Sequence, residues 1–309
     1  MRITAYSKRN RSRKSAKIRP IRVICDPIPP LKISRAETQG RRGFFIDGVE
    51  LLFMSSPSQM FLLVSFKASY YNFLVSPIVT NPELMQIHVE TLFTHDNNRR
   101  LLVVNEPNGR PAPRFFLGRT QHSILCRFRH DFPQAFVQQL TELTHSEPTG
   151  QPLTPEPEHT EEYKRLLQAH APIQQIFSGP AYRVPIPQPS QPQTIQITRQ
   201  NAHLLQDDFR WLCEEIELEQ PCLAVVQNGR AVSICRSVRI GPQAHEAGVE
   251  TLAVYRGNGY APKVVAAWAA AVHQLGRIPL YSTSWDNLAS QSVAQKSAAI
   301  PYGVTYHIT

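Results

Sequence analysis

The residues best suited to chemistry form one short loop. It is Arg256-Gly257-Asn258-Gly259-Tyr260-Ala261, between an apolar strand pattern and a helical pattern. Glycines let a backbone approach an anion closely and adopt positive φ. The start of a helix presents unpaired N–H groups and a partial positive charge. Because Arg256 adds a permanent charge, the loop predicts a phosphate site. It is neither Gly-x-Gly-x-x-Gly nor a loop ending in Gly-Lys-Ser/Thr, which excludes a dinucleotide fingerprint and a P-loop.

The elements that must position this loop follow a run of prolines that ends at Pro192. Hydrophobic periodicity and turn residues predict the order β-α-β-β-β-α-β-α-β, which indicates a mixed α/β sheet. The predicted strands are Thr194–Thr198, Cys222–Gln227, Ala231–Val238, Gly248–Tyr255, Ile278–Ser284 and Tyr302–Ile308. The predicted helices are Ala202–Glu219, Gly259–Leu275 and Asn287–Ser297.

This C-terminal part resembles the GNAT superfamily of acyl-CoA N-acyltransferases over about Thr194–Thr309. Arg256-x-x-Gly259-x-Ala261 matches the family's Arg/Gln-x-x-Gly-x-Gly/Ala signature, between the fourth strand and the next helix. The segment from Ser282 to Ala294 is also similar, with Asn287 starting a short helix. The resemblance implies a GNAT-like fold that transfers the acyl group of acetyl-CoA to a primary amine.

The resemblance also implies roles for individual residues. Amides of the loop would bind the pyrophosphate, and Asn287 would hydrogen-bond the cofactor or simply cap its helix. A backbone N–H near Val254 would stabilise the oxyanion. The strand after this one would splay away and open a cleft. The backbone groups expected to pair with the pantetheine arm are those of Leu252, Ala253 and Val254.

The residues that would move protons are less well defined by the pattern. The amine must lose a proton, which a carboxylate usually accepts. Glu246 and Glu250 share a face of an ideal strand, and Glu250 is preferred because it is nearer the loop; an exposed or salt-bridged strand glutamate is the alternative. Many family members carry a tyrosine acid seven residues after the asparagine, where this chain has Ala294. Tyr302 and Ser290 are conceivable substitutes.

The chain upstream of Pro192 divides into three further parts. Residues 1–84 hold 14 Lys/Arg against 5 Asp/Glu, a net charge of +9, which accounts for the charge of the whole chain. We expect them to be a disordered or non-native extension, with Met85 near the native start. Residues 85–180 predict an N-terminal α/β domain, either a degenerate GNAT-like copy or a cover for the acceptor side. Because proline has no backbone donor, Pro180–Pro192 predicts a linker over 181–193 and excludes a central strand there.

The predicted elements of this N-terminal domain alternate less regularly. The strands are Gln86–Thr94, Arg99–Glu106, Arg114–Gly118 and Ser123–Arg127, and the helices are Phe132–Thr144 and Glu161–Ala169.

Composition narrows the partners and the compartment. The five cysteines are odd in number and form no Cys-x-x-Cys pair, which predicts a reducing cytoplasm without disulfides or zinc. Residues 85–309 carry no net charge, so we expect no nucleic-acid or membrane requirement there. The expected partner is a small-molecule or protein amine, with the chain a monomer or homodimer. Two alternatives stay open: a CoA-binding sensor or scaffold without turnover, and nucleic-acid or membrane association through residues 1–84.

Overall fold

The structure is a computed structural model, and it describes two compact units, residues 1–78 and 79–309. In the second unit it describes residues 79–186, 194–206 and 208–309. In the first unit it describes four strands, β1 to β4, which form an antiparallel meander in chain order. Their bounds are Ile33–Thr38, Arg41–Ile46, Val49–Ser55 and Met60–Phe66. Among all described residues, no helix combines the length and apolar character needed to cross a bilayer.

Residues 1–84 were predicted to be a disordered or non-native extension. Strands β1 to β4 lie within their described part. The second unit also begins earlier than Met85, because its first helix starts at Asn81 and Leu84 is buried. The rest of the predicted extension lies outside the described residues.

The described residues of the second unit form five α-helices and eleven strands. Its helices α1 to α5 are Asn81–Leu92, Gln134–His145, Thr160–His170, Tyr260–Gln274 and Leu288–Lys296. Strands β5 to β9 are Phe93–His95, Leu101–Val104, Phe115–Arg119, Ile124–Phe128 and Ile176–Arg183. Strands β10 to β15 are Thr194–Ile197, Cys222–Gln227, Arg230–Ile240, Ala244–Thr251, Ile278–Ser282 and Ile300–Ile308.

One nine-stranded mixed sheet runs through the second unit. Its strand order is β10-β11-β12-β13-β14-β9-β15-β7-β8, and β13 with β14 is the parallel pair. Strands from 85–180 and from 194–309 therefore alternate within one sheet. The predicted mixed α/β fold is confirmed, and the predicted division does not appear as two separate sheets.

Strand β9 runs through Pro180, so our prediction that the proline-rich stretch contains no central strand is wrong at its start. It lies between β14 and β15 and contains Pro180, which is opposite Val304. The Pro180 carbonyl accepts the amide of Thr283 at 3.4 Å, so the proline nitrogen faces the same side, where β14 has just ended at Ser282. The missing donor therefore falls just past the regular pairing of β14, where the amides of Thr283 and Trp285 still donate to Pro180 and Ser178, so proline removes only one bond.

Helix α1 occupies a stretch that we predicted as the strand Gln86–Thr94. The overlooked start signal is Thr80 and Glu83, a capping box in which the Thr80 amide donates to Glu83 Oε2 at 2.8 Å. The buried positions then repeat at helical spacing. They are Leu84, Met85, Ile87, His88, Val89, Thr91 and Leu92.

The predicted helix Ala202–Glu219 is also wrong. Its apolar residues are buried at helical spacing, but the chain forms two short 3-10 segments, Arg199–Leu205 and Arg210–Cys213. Gln206 has a φ of +44°, which interrupts a right-handed helix at that point.

The two faces of the sheet are covered differently, and this decides what can reach β13. On one face, α1 packs against Phe116, Ala181 and Leu280. On the other face, α4 packs against residues such as Val249 and Tyr281, and α2 and α3 pack farther along the sheet. Successive residues of β13 therefore point alternately towards α1 and towards α4.

Candidate functional site

The site is built on a fork between the two parallel strands. β13 and β14 pair only at Ala244–Ile278, His245–Pro279 and Glu246–Leu280. Beyond these pairs β13 continues to Thr251 with β12 alone, while β14 pairs with β9. The fork leaves one edge of β13 without a strand partner.

The pattern of hydrogen bonds shows which residues present their backbone to the opening. The amide of Leu252 donates to Val232 of β12 at 3.0 Å, and its carbonyl accepts the amide of Tyr255. Because backbone groups alternate between the two neighbours of a strand, Val249 and Thr251 face the fork. The expected pairing position at Leu252 is thus already engaged, and Ala253 belongs to the 3-10 turn Ala253–Tyr255. An extended ligand would meet the edge at Val249 and at the Thr251 amide, because the Thr251 carbonyl accepts from Arg256 Nε.

The loop after β13 has the conformation that an anion site requires. Gly257 and Gly259 have φ values of +81° and +72°, and no atom lies within 4 Å of a Cβ built on either. Gly259 is the N-cap of α4. Among the described residues, the amides of 257–261 donate none of the backbone bonds outside regular helices and strands. Free amides at the start of a 15-residue helix are the kind of donors that bind phosphate in proteins.

Side chains hold this loop open. Asn258 Nδ2 donates to the Tyr255 carbonyl at 3.0 Å, and Arg256 Nε donates to the Thr251 carbonyl at 3.3 Å. Lys263 lies over the Tyr260 ring, with its ammonium 5.5 Å from the centroid. Because Arg256 bonds through Nε, its terminal guanidinium nitrogens stay available to a ligand. The Asn258 side chain, in contrast, bonds within the loop and stabilises the shape of the loop.

The fork, the loop and the N-terminus of α5 enclose one cleft of about 720 Å³. This volume is within the range of cofactor and ligand sites in proteins. Of the residues predicted to bind the cofactor, Leu252, Ala253, Arg256, Gly257, Gly259, Tyr260, Ala261 and Asn287 line it. Val254 is 83% exposed and Asn258 lies in the loop, and neither is among the lining residues. The cleft also contains Arg256 and Lys296, which suit an anionic ligand.

Helix α5 closes the cleft on the side opposite the loop. Asn287 caps it by accepting the Ser290 amide at 3.0 Å, as predicted for a structural role. Ser290 lines the cleft and shares a 2.6 Å hydrogen bond with the Tyr281 hydroxyl, whose pKa burial raises to about 12. Ala294 is buried in the core beneath α5. Tyr302, the other suggested acid, is buried on β15 and does not line the cleft.

Glu250, the preferred proton acceptor in the sequence, is held by an ion pair. Its Oε1 accepts from Arg236 Nη1 at 2.8 Å, and its side chain is 45% exposed. Arg236 also bonds Glu219 and lies under the Trp211 ring, 4.5 Å from the centroid. Glu250 lines the cleft, but its carboxylate is one part of a guanidinium-centred cluster.

Glu246 is different, because it is the last paired residue before the fork opens. It is 1% exposed, and its Oε1 accepts from Ser282 Oγ at 2.6 Å. Its Oε2 lies 3.3 Å from His88 Nε2. Burial raises the pKa of this carboxyl, but His88, Ser282 and Arg239 together outweigh burial and lower the pKa below its ordinary value. Glu246 is therefore a buried carboxyl with a lowered pKa at the base of the fork, and, unlike Glu250, it is not among the residues that line the cleft.

Two residues at this position were missed in the sequence. His88 was hidden by the wrong assignment of its segment to a strand, although its place on the buried face of a capped helix was available as a signal. Ser282 was noted only as part of a larger segment. No local pattern links either residue to Glu246, since the three lie on α1, β14 and β13.

Comparisons with known proteins give partial structural likeness only. No protein-family model and no curated protein matches the chain. A GNAT-family protein of Novosphingobium aromaticivorans is 15% identical with a TM-score of 0.34, and the match covers 44% of this chain and 66% of that one, just under two thirds. A GNAT-family acetyltransferase of Colwellia psychrerythraea is 13% identical, with a TM-score of 0.37 and coverages of 62% and 81%. A GCN5-related N-acetyltransferase-like protein of Streptococcus suis is 17% identical, with a TM-score of 0.37 and coverages of 64% and 85%.

The fold is therefore judged on its own strand order. From β10 to β15 the elements follow the order implied by the resemblance, with 3-10 turns in place of the first helix. The signature loop joins β13 to α4, and the strands on either side of that crossover diverge as expected. Residues 79–309 thus have a mixed α/β fold, which confirms the fold class and the strand order predicted for the C-terminal part.

Proposed function

We propose that this protein binds acetyl-CoA in the cleft and transfers the acetyl group to a primary amine of a small molecule or a protein. The observation that carries the proposal is the coincidence of three features at one place. These are the unpaired edge of β13, the glycine loop with free amides, and the N-terminus of α4. A long ligand with a peptide-like arm and a pyrophosphate needs all three together.

The chain's residues would divide the work along the cleft. Amides of residues 257–261 hold the pyrophosphate, and Arg256 and Lys296 add positive charge. The fork-facing groups of Val249 and Thr251 hold the arm as an added strand would, and so orient the thioester. A fork-facing amide on this edge would then stabilise the negative oxygen of the tetrahedral intermediate.

We favour Glu246 over Glu250 as the proton acceptor. Glu250 is already paired with Arg236, and taking up a proton would sacrifice that ion pair. Glu246 lies where the fork begins, and its hydrogen bond to Ser282 spans the point at which β13 and β14 separate. A buried carboxylate that stays ionised can attract an ammonium group and take its proton directly or through water.

No protein acid is needed for the leaving group. A thiol of ordinary acidity has a pKa of about 8.5, so its thiolate is a tolerable leaving group near neutral pH. The absence of a hydroxyl at Ala294 is thus compatible with turnover. It also supports the second candidate function, a CoA-binding sensor or scaffold that performs no transfer.

Calorimetry with acetyl-CoA on the full chain, followed by thiol release across a panel of primary amines, tests both functions. Binding with amine-dependent thiol release supports the transferase. Binding without release from any amine supports the sensor. Absence of acetyl-CoA binding contradicts both.

A further inference from the structure

A buried ion pair connects α1 to the base of the fork. His88 on α1 and Glu246 on β13 have side chains that are 0% and 2% exposed, and their facing atoms are 3.3 Å apart. Ser282 on β14 bonds the other carboxylate oxygen at 2.6 Å. Three elements thus meet at the residue where the strands diverge.

The two side chains are close enough for an ion pair, but they are not aligned for a hydrogen bond. Although their distance is within ion-pair range, His88 Nε2 and Glu246 Oε2 have no hydrogen-bond partner in the described part of the chain, and neither has His88 Nδ1. The buried Tyr302 hydroxyl beside them is also without one. Buried polar atoms without a partner destabilise a fold and are few in native proteins. A catalytic role is one of the reasons for which they are kept.

The surroundings favour an ionised carboxylate. The charged or titratable groups that face the pair come from two strands: Arg239 of β12, and Tyr302 and His307 of β15. The Tyr302 ring meets the His88 ring edge-on, with centroids 6.0 Å apart. Arg239 carries the fixed positive charge of this set and is itself ion-paired with Glu106.

We infer that His88 is the positioning residue for Glu246, and that α1 therefore belongs to the acetyl-transfer machinery. This inference rests on the proposed function. When the amine nitrogen bonds to the acyl carbon, the C–S bond breaks and its electron pair stays on sulfur. The N–H proton passes to Glu246, which later returns it to solvent. His88 and Ser282 each contact one oxygen of the carboxylate and so fix its position at the base of the fork.

The test replaces His88 by glutamine, which keeps a donor but cannot become charged. The matched control is His245→Gln. His245 is buried, directly precedes Glu246 on β13, faces α4 and bonds Ser237 at 2.9 Å. We expect H88Q to bind acetyl-CoA within about twofold of the parent and to lose roughly tenfold to a hundredfold in kcat, less than loss of the base itself. The acidic limb of its kcat profile should move to higher pH, since the contact with His88 lowers the pKa of Glu246. H245Q should leave that limb in place.

The possible results separate this inference from the proposed function. If the parent releases no thiol with any amine, both fail. If the parent turns over and H88Q has the same kcat and the same acidic limb, the inference alone is wrong. If H88Q does not fold, His88→Asn serves instead, because it also keeps a donor on α1 that cannot become charged. An unchanged kcat and acidic limb in H88N would then overturn the inference, and a lowered kcat with an unchanged KM for acetyl-CoA and an acidic limb at higher pH would support it.

Discussion

The sharpest prediction compares the two glycines that bound α4. Gly259 begins the helix and Gly276 follows its end, with φ values of +72° and +70° and no neighbouring atom within 4 Å of an added Cβ. Alanine at either position should cost about 1 to 2 kcal/mol of backbone strain. For a unit of this size that lowers the Tm by about 2 to 8 °C in both variants. The stability changes should therefore match.

Ligand affinity should separate them, because only Gly259 lines the cleft. A methyl group there occupies the space that the pyrophosphate needs and displaces one charge-assisted hydrogen bond, worth about 1.5 to 3 kcal/mol. At about 1.4 kcal/mol per tenfold, the Kd for acetyl-CoA should rise roughly 10-fold to 150-fold in G259A. Calorimetry on parent, G259A and G276A measures it. Equal affinity in G259A and G276A would refute the loop as the phosphate site.

Three further predictions follow from single contacts. Asn287→Asp keeps the oxygen that caps α5 but loses the side-chain amide. The Tm should therefore stay the same, while the Kd for acetyl-CoA rises about tenfold. An unchanged Kd in calorimetry would show that Asn287 is only a helix cap. Glu246→Gln should lower the rate of thiol release about 100-fold or more and Glu250→Gln less than tenfold, and the opposite order would contradict the assignment of the base. Burial lowers the pKa of His307 to about 3. Between about pH 6.5 and pH 3 the unfolded chain therefore binds a proton at this residue that the native state does not bind. The free energy of unfolding falls as the pH is lowered through this range, by at most about 1.4 kcal/mol per pH unit. Urea unfolding at pH 7 and pH 5 should show a smaller loss in His307→Phe than in the parent.

The local part of the cleft could be predicted because its chemistry is contiguous in sequence. Positive φ at Gly257 and Gly259, the helix that follows, and the cap at Asn287 each depend on neighbours a few residues away. The mixed sheet of β10 to β15 followed from periodicity for the same reason. We predicted that the open edge would begin at Leu252, whereas the backbone groups that face the fork are those just before it. Strand ends are the least certain feature of a sequence pattern.

What could not be predicted depends on contacts between distant residues. The choice between Glu246 and Glu250 is decided by His88 and Arg236, which lie on other elements. We excluded a central strand at Pro180 because we assumed that a continuing neighbour strand would need the backbone donor that proline lacks. The regular pairing of β14 ends beside Pro180, so little pairing is lost there. The start signal at Thr80 and Glu83, by contrast, was present in the sequence and was overlooked.

The position of β9 has a consequence for how the chain acquires its structure during synthesis. β9 is completed at Arg183, but its two neighbours β14 and β15 begin only at Ile278 and Ile300. Both of its edges must therefore wait for about a hundred further residues, and such long-range pairing slows folding. Over that interval β9 is a strand with two unpaired edges, which is the form most prone to pair with another molecule. We expect nascent chains arrested before β14 to be the aggregation-prone species and to depend on chaperones until the C-terminal strands emerge.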